Sequence, residues 1–277
     1  MRRAERELPL RQAVALGLLQ GPTELLPVSS SAHTTLLPWL AGWSYGDLDD
    51  ELRKGFEVAL HAGTATALVL LAGRELAGDT AAMLRRRPRA LMLALAPPAL
   101  AGLLLGPRIE RDLGEPPWIA LALAAGSVAM AGAELRGRRA PGQYGGRHFG
   151  QEGAADGLAL GLAQALALVP GISRSGASIG AARWRGFTRE DAHRLSWTVA
   201  LPVIAGASLL QGLRLRRVGI PASMGASMAA GAGAAFCSTL GAGALLRGRL
   251  RGCPPWPFVL YRGALAGWVA LRANARR

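Results

Sequence analysis

The sequence predicts an all-α polytopic membrane protein, and three observations carry that prediction. Hydrophobic residues make up 51% of the chain against 18% charged, with a positive mean hydropathy, a balance that soluble domains seldom show. Charge is absent from 25–46, 90–107, 116–133, 157–173, 195–213 and 218–246, several of these runs nearing the ~20 residues a helix needs to cross the bilayer. Two polar, proline-bearing stretches, Gln20 to His33 and Pro170 to Gly176, interrupt this apolar background one in each half. About ten helical segments are expected, arranged as two inverted-topology repeats, each with a broken re-entrant helix pair plus three transmembrane helices.

In chain order, 12–26 and 28–43 are short apolar segments hinged at Pro27. A proline-broken pair that dips to mid-membrane and returns accounts for them, because irregular backbone at depth is tolerated only around a cavity. Leu48 to Lys54 reads as a surface loop, 55–73 as a span containing His61, and 74–89, with Arg74, Arg85, Arg86, Arg87 and Arg89, as a loop. Spans 90–107 and 116–133 follow, and a Gly- and Arg-rich connector, 134–152, divides the chain nearly in half. The second half repeats the plan: a broken pair, 153–170 and 172–182, a charged loop at 183–194, then spans 195–213, 218–246 and 256–271. One integral membrane domain therefore contains repeat one, about 1–147, and repeat two, about 148–277. Aligning Pro27 with Pro170 sets Ser30 against Ser173. Three crossings are an odd number, so the halves must insert with opposite orientations.

The net charge of +14 comes almost wholly from Arg, since Lys54 is the single lysine. The arginines cluster between apolar runs, as juxtamembrane loops do, and no basic, aromatic-interleaved face argues for nucleic acid. Counting Arg and Lys puts 16 on the side of loops 74–89, 134–152, 183–194 and 247–253, and 14 on the other side including both tails. By the positive-inside rule the first side is cytoplasmic, the first broken pair opens outward and the second enters from the cytoplasm. Arg2, Arg3 and the run Ala13 to Leu19 mimic a signal peptide, but Glu5 and Glu7 interrupt its basic region and no small-x-small cleavage site follows, so the segment is read as retained. Cys237 and Cys253 lack metal spacing.

An ionisable side chain inside a membrane segment costs several kcal/mol, on the order of 3, unless paired, ligated or wetted, which singles out Glu24 and Arg174. Gln20 and Glu24 lie four apart, on one helix face; Gln20 could orient a phosphate or simply bond a neighbouring helix. Ser29, Ser30 and Ser31 could be capping and packing hydroxyls, with Ser29 at the N-cap. Together with His33, however, they constitute an activated-nucleophile arrangement. Arg174, between Ser173 and Ser175 at a helix start, has the fork that suits a phosphate, and two half-helix N-termini facing each other would aim N–H groups at one anion. His61 reads as a packing residue or a more distant partner of the site, His148 and His193 as solvated loop residues, and Arg262 as pairing internally or snorkelling. A transporter or lipid flippase shares the inverted-repeat plan but needs no nucleophile.

At these residues the chain resembles the bacterial undecaprenyl-diphosphatase family associated with bacitracin resistance. The likeness is carried by Gln20-Gly-x-Thr-Glu24-x-Leu-Pro27-Val-Ser-Ser30-x-x-His33 and by Leu168-Val-Pro170-Gly-Ile-Ser173-Arg174-Ser175-Gly176-Ala177, with weaker echoes at His61-Ala-Gly-Thr64 and Tyr261-Arg262. The resemblance implies hydrolysis of undecaprenyl diphosphate to the monophosphate carrier lipid of peptidoglycan synthesis, in the bacterial cytoplasmic membrane, with the site opening to the outer or periplasmic face. Bacitracin would be an indirect partner, competing for the same lipid, and a homo-oligomer is left open. It implies a divalent cation, Ca²⁺ or Mg²⁺, held partly by Glu24. It further implies that Glu24 is the essential carboxylate, Ser30 the nucleophile or a phosphate ligand, His33 the acid/base, and Arg174 with Ser173 the diphosphate clamp, Ser29, Ser31, Ser175 and Gln20 completing the binding set. This chain departs from the family pattern at Gln20, often Glu, and at Pro22, Leu25 and Ala32; the first leaves one fewer carboxylate for a metal.

Overall fold

The computed structural model describes residues 8–138, 146–218, 222–246, 249–250 and 252–275. The terminal arginines Arg2 and Arg3, and connector positions 139–145 and 247–248, lie outside the described residues. Among the described residues ten α-helices and one 3-10 turn, Ser44–Asp47, run in order: α1 Leu10–Leu25, α2 Ser30–Ala41, α3 Asp50–Arg86, α4 Pro88–Leu113, α5 Pro116–Arg138, α6 Ala154–Leu166, α7 Arg174–Trp184, α8 Arg189–Val218, α9 Ala222–Leu246 and α10 Trp256–Ala275. No strand occurs among the described residues; Arg147 and Phe187 form one isolated bridge.

Local chemistry sets most boundaries. Asp49 caps α3 by accepting the Glu51 N–H at 2.9 Å, acidic Asp50 and Glu51 open the helix, and Arg85 and Arg86 close it, each end matching the helix dipole. Pro88 forbids helical backbone in the residue before it and itself starts α4. Thr188 receives the Asp191 N–H at 3.1 Å and returns its hydroxyl to the Asp191 carboxylate at 2.7 Å, starting α8. Asp156, in the first turn of α6, accepts the Gly153 N–H at 2.8 Å and is held by Arg147 and Arg185.

Close helix packing rests on glycines in matching places. On α1, a Cβ at Gly17 would fall on the carbonyl oxygen of Gly231 in α9, and one at Gly21 on the backbone N of Thr239. On α6, Cβ atoms at Gly157 and Gly161 would fall on the carbonyls of Ala90 and Leu93 in α4. Each broken pair thus leans its first half-helix, through a small-xxx-small seam, on the fourth helix of the other half. The helices α5 and α10 pack on each other, and α2 joins them through Ala32, Leu36, Ile119, Leu123 and Val269.

Helices α4 and α5, together with Met224–Leu246 of α9, are long and apolar enough to cross a membrane. They turn large aliphatic side chains outward, Leu104 at 72% exposure and Val128 at 74% among them, as lipid-facing surfaces do. The chain is a multi-pass membrane protein. Six such crossings are expected from the sequence, and the difference lies in α3, α8 and α10. Helix α3 bends by 83° between Leu71 and Gly73, and its two arms have the length and composition of one broken span or a re-entrant loop. Helix α8 begins and ends in charge, and α10 carries Arg262 and Arg272, so both fall short on composition. The expected loop 74–89 is instead the second arm of α3: Leu76 and Met83 bury its inner face, Thr80 donates to the Thr198 carbonyl at 3.1 Å, and Asp79 pairs with Arg194.

Candidate active site

The two breaks, Leu26 to Ser29 and Ala167 to Ser173, meet at one buried arginine. Arg262 of α10 is 1% exposed. It donates to the carbonyls of Pro27 in the first break (3.2 Å), Gly171 in the second (3.1 Å) and Leu123 of α5 (3.3 Å). Both breaks have left-handed backbone beside this tie. Ser29 has φ 77°, the one non-glycine residue with positive φ among the described residues, and Gly171 has φ 105°. Only glycine fits at 171, where a Cβ would also stand 2.6 Å from the Ile119 carbonyl. The sequence marks Arg262 as a charge in an apolar run; the structure gives it the carbonyls of both breaks as partners.

Joined in this way, α2 and α7 present their first turns to the end of α1. Ser30 Oγ donates to Glu24 Oε2 at 2.7 Å, and Arg174 Nη2, reaching over from the second half, donates to Glu24 Oε1 at 2.9 Å. Both side chains of the ion pair are largely buried. The Arg174 guanidinium lies 5.1 Å from the centre of the Trp197 ring, and its Nη1 is buried with no hydrogen-bond partner. Around this centre the serines repeat one arrangement: Ser29 and Ser31 hydroxyls are 3.2 Å apart, and so are those of Ser173 and Ser175. Ser175 also donates to the Leu26 carbonyl at 3.4 Å, tying α7 to the first break.

This repetition corrects the register read from the prolines. Ser29 occupies the N-cap of α2 and Ser173 that of α7, where it accepts the Gly176 N–H at 3.2 Å. Ser30 therefore corresponds to Arg174 rather than to Ser173, and these two first-turn residues are the ones that grip Glu24.

His33, expected as the acid/base, is not hydrogen-bonded to Ser30. His33 uses both ring nitrogens elsewhere: Nδ1 lies 2.7 Å from the Ser29 carbonyl and Nε2 2.7 Å from the Tyr261 hydroxyl, with the two rings stacked at 5.6 Å. Gln20, 1% exposed, sets its amide Nε2 3.3 Å from His61 Nδ1, a helix-to-helix bond beneath Glu24. Tyr261 and Trp197 enter the site with little warning, Tyr261 only as an echo beside Arg262. His193, expected in a loop, lies on α8 and lines a narrow cleft with Pro27, Gly176, Glu134 and Arg183; Glu24, Ser30 and Arg174 are not part of that lining. His148 pairs with Asp191 at 2.9 Å.

The charge count of the centre is uneven. Among the described residues Glu24 compensates Arg174, whereas Arg262 meets only carbonyl dipoles and a Met130 sulfur, so the junction as described holds one more cation than anion. An isolated buried charge is costly, and an anionic guest relieves it. For a metal the donor set is thin: among the described residues no three His, Cys, Asp or Glu side chains converge, and both Glu24 oxygens are engaged. That set does not make an all-protein cage. It fits a cation that brings most of its ligands as substrate phosphate oxygens and water, in the manner of Mg²⁺, with Glu24 and the Gln20 amide as protein donors.

Fold and site together define a membrane protein in which a carboxylate, a serine and an arginine from two half-helix starts converge on one anion-seeking centre. The chain belongs to the BacA family: the family model described as bacitracin resistance protein BacA matches residues 13–268. Its relatives include undecaprenyl-diphosphatases of Geobacter sulfurreducens, 40% identical over 95% of this chain and 98% of the relative, and of Pelobacter propionicus, 39% identical over 80% and 82%. The undecaprenyl-diphosphatase of Thermomicrobium roseum is 36% identical over 92% and 94%.

Proposed function

We propose that this protein is an undecaprenyl-diphosphate phosphatase, releasing inorganic phosphate and undecaprenyl phosphate. The observation that carries the reading is the Ser30–Glu24–Arg174 constellation with its orphaned Arg174 Nη1, alongside family membership. A terminal phosphate satisfies the free Nη1 and neutralises the excess positive charge. Glu24, 2.7 Å from Ser30 Oγ, takes the hydroxyl proton as Oγ attacks the terminal phosphorus. The new Oγ–P bond forms as the bridging P–O bond breaks, and undecaprenyl phosphate leaves. Glu24 gives that proton to the departing phosphate oxygen, then takes one from a water whose oxygen bonds phosphorus as the Oγ–P bond breaks, and returns it to Ser30 Oγ as inorganic phosphate is released. Arg174 stabilises the charge spread over the equatorial oxygens, as do the N–H groups that open α2 and α7. A divalent cation held by Glu24, Gln20 and the diphosphate would supply further neutralisation of that charge.

The matching seams of α1 on α9 and α6 on α4 support two repeats, about 1–147 and 148–277, of opposite insertion. With the arginines of the second arm of α3 and of the 134–152 and 183–194 segments cytoplasmic, the Ser30 break would face the outer side of the bacterial cytoplasmic membrane. There the enzyme would recycle the carrier lipid, and bacitracin would compete for the diphosphate; a homo-oligomer is compatible with this arrangement. The test is phosphate release from undecaprenyl diphosphate by detergent-solubilised protein, with and without EDTA. Cation-dependent release is expected. No release, combined with lipid flux in vesicles, would replace this reading with the transporter.

A further inference from the structure

The Ser29 carbonyl can only accept, so the His33 nitrogen 2.7 Å from it, Nδ1, carries the ring proton. In the neutral ring Nε2 is then an acceptor, and the Tyr261 hydroxyl 2.7 Å away is its donor. The stacked rings, 11° from parallel, hold this arrangement flat. Neither nitrogen is left for Ser30, so a histidine that looks like a base in the sequence is committed to the backbone instead. Its anchor is the one non-glycine residue with positive φ among the described residues, Ser29, whose carbonyl also receives the His33 N–H at 3.3 Å. The next residue is Ser30, which that backbone turn delivers to Glu24.

We infer that Tyr261 is a positioning residue for the phosphatase reaction: by donating to Nε2 it fixes the Nδ1–H tautomer of His33, which holds Ser29 in its left-handed conformation and so keeps Ser30 aimed at Glu24. The inference rests on the phosphatase reading above. Without the hydroxyl, the Nε2–H tautomer becomes available and sets a lone pair against the Ser29 carbonyl, releasing the turn. Arg262, the next residue on α10, ties the Pro27 carbonyl of the same turn, so a Tyr-Arg dipeptide holds both ends of the break.

Tyr261→Phe keeps the stack and removes only the hydroxyl. In phosphate-release kinetics, kcat is expected to fall about tenfold, the worth of one hydrogen bond, with KM within about twofold because substrate contacts are untouched. Imidazole ¹⁵N spectra of the detergent-solubilised protein should show His33 with Nδ1 protonated in wild type and a second tautomer in Tyr261→Phe. In a His33→Asn background, whose amide can still donate to the Ser29 carbonyl, Tyr261→Phe should cost nothing further. A Tyr261→Phe enzyme with wild-type kcat, an unchanged His33 spectrum, or independent losses in the double variant would overturn the inference. Wild-type protein that releases no phosphate would sink the phosphatase reading instead, and the ¹⁵N spectra would still report on the Tyr261 contact.

Discussion

The pairing of Glu24 with Arg174 across the two halves can be tested by its energetics. Their contact is 2.9 Å and the side chains are 10% and 16% exposed, close to the fully buried limit. Removing one partner of such a pair leaves the other charge uncompensated, at a cost of about 3–5 kcal/mol. Removing both with apolar side chains of similar length is near neutral. Glu24→Met and Arg174→Met should therefore each lower the melting temperature in detergent by roughly 6–20 °C, while the double variant returns close to wild type. With both single losses recovered in the double variant, the coupling energy should reach about 6–10 kcal/mol, well above the few tenths found for independent sites. Activity must behave differently, because Glu24 is the base and Arg174 the phosphate ligand. All three variants should lose at least ~100-fold in phosphate release. Melting shifts that add, or single variants that melt like wild type, would show that the halves do not meet through this pair.

Other consequences are read off the fold. Arg262→Met removes the donor shared by three buried carbonyls; it should destabilise by at least about 2 kcal/mol and abolish activity, whereas Arg272→Met, at the exposed end of α10, should do neither. Gly157→Val sets side-chain atoms onto the Ala90 carbonyl, so a loss of at least about 1–3 kcal/mol is expected, and the equivalent seam predicts the same for Gly17→Val. For Asp156, in the surface-proximal first turn of α6, burial pushes the carboxyl up, but hydrogen bonds from Arg147, the Gly153 N–H and Arg185 outweigh it and hold the pKa at about 2, against 3.8 for a free group. A depressed folded pKa contributes stability above the unfolded value that is lost as pH falls from about 3.8 towards 2. Thermal stability of wild type should therefore drop across that window more than that of Asp156→Asn; parallel curves would contradict the assignment.

How much the sequence conveyed follows from which forces act locally. The broken pairs were legible because proline and a polar run inside apolar sequence have few other uses, and Glu24 and Arg174 because a membrane makes any ionisable group conspicuous. What could not be read was pairing. That Ser30 bonds Glu24 while His33 turns to Tyr261 depends on the strained φ at Ser29, which no residue type announces. The one-residue register shift between Ser30 and Ser173 arose for the same reason: proline marks a break, but the cap residue decides where the helix begins. The second arm of α3 was hidden by its arginines, which pointed to a loop; Leu76 and Met83, at helical spacing on the buried face, are the signal that outweighs them.

The phosphatase reading requires that Ser30, Glu24 and Arg174 form one hydrolytic centre. The most direct measurement is phosphate release from undecaprenyl diphosphate by purified wild type, Ser30→Ala, Glu24→Gln and Arg174→Met side by side. Wild type should release phosphate and every variant should lose at least ~100-fold; an inert wild type, or near-normal release by Ser30→Ala, would show that these residues are not one hydrolytic centre.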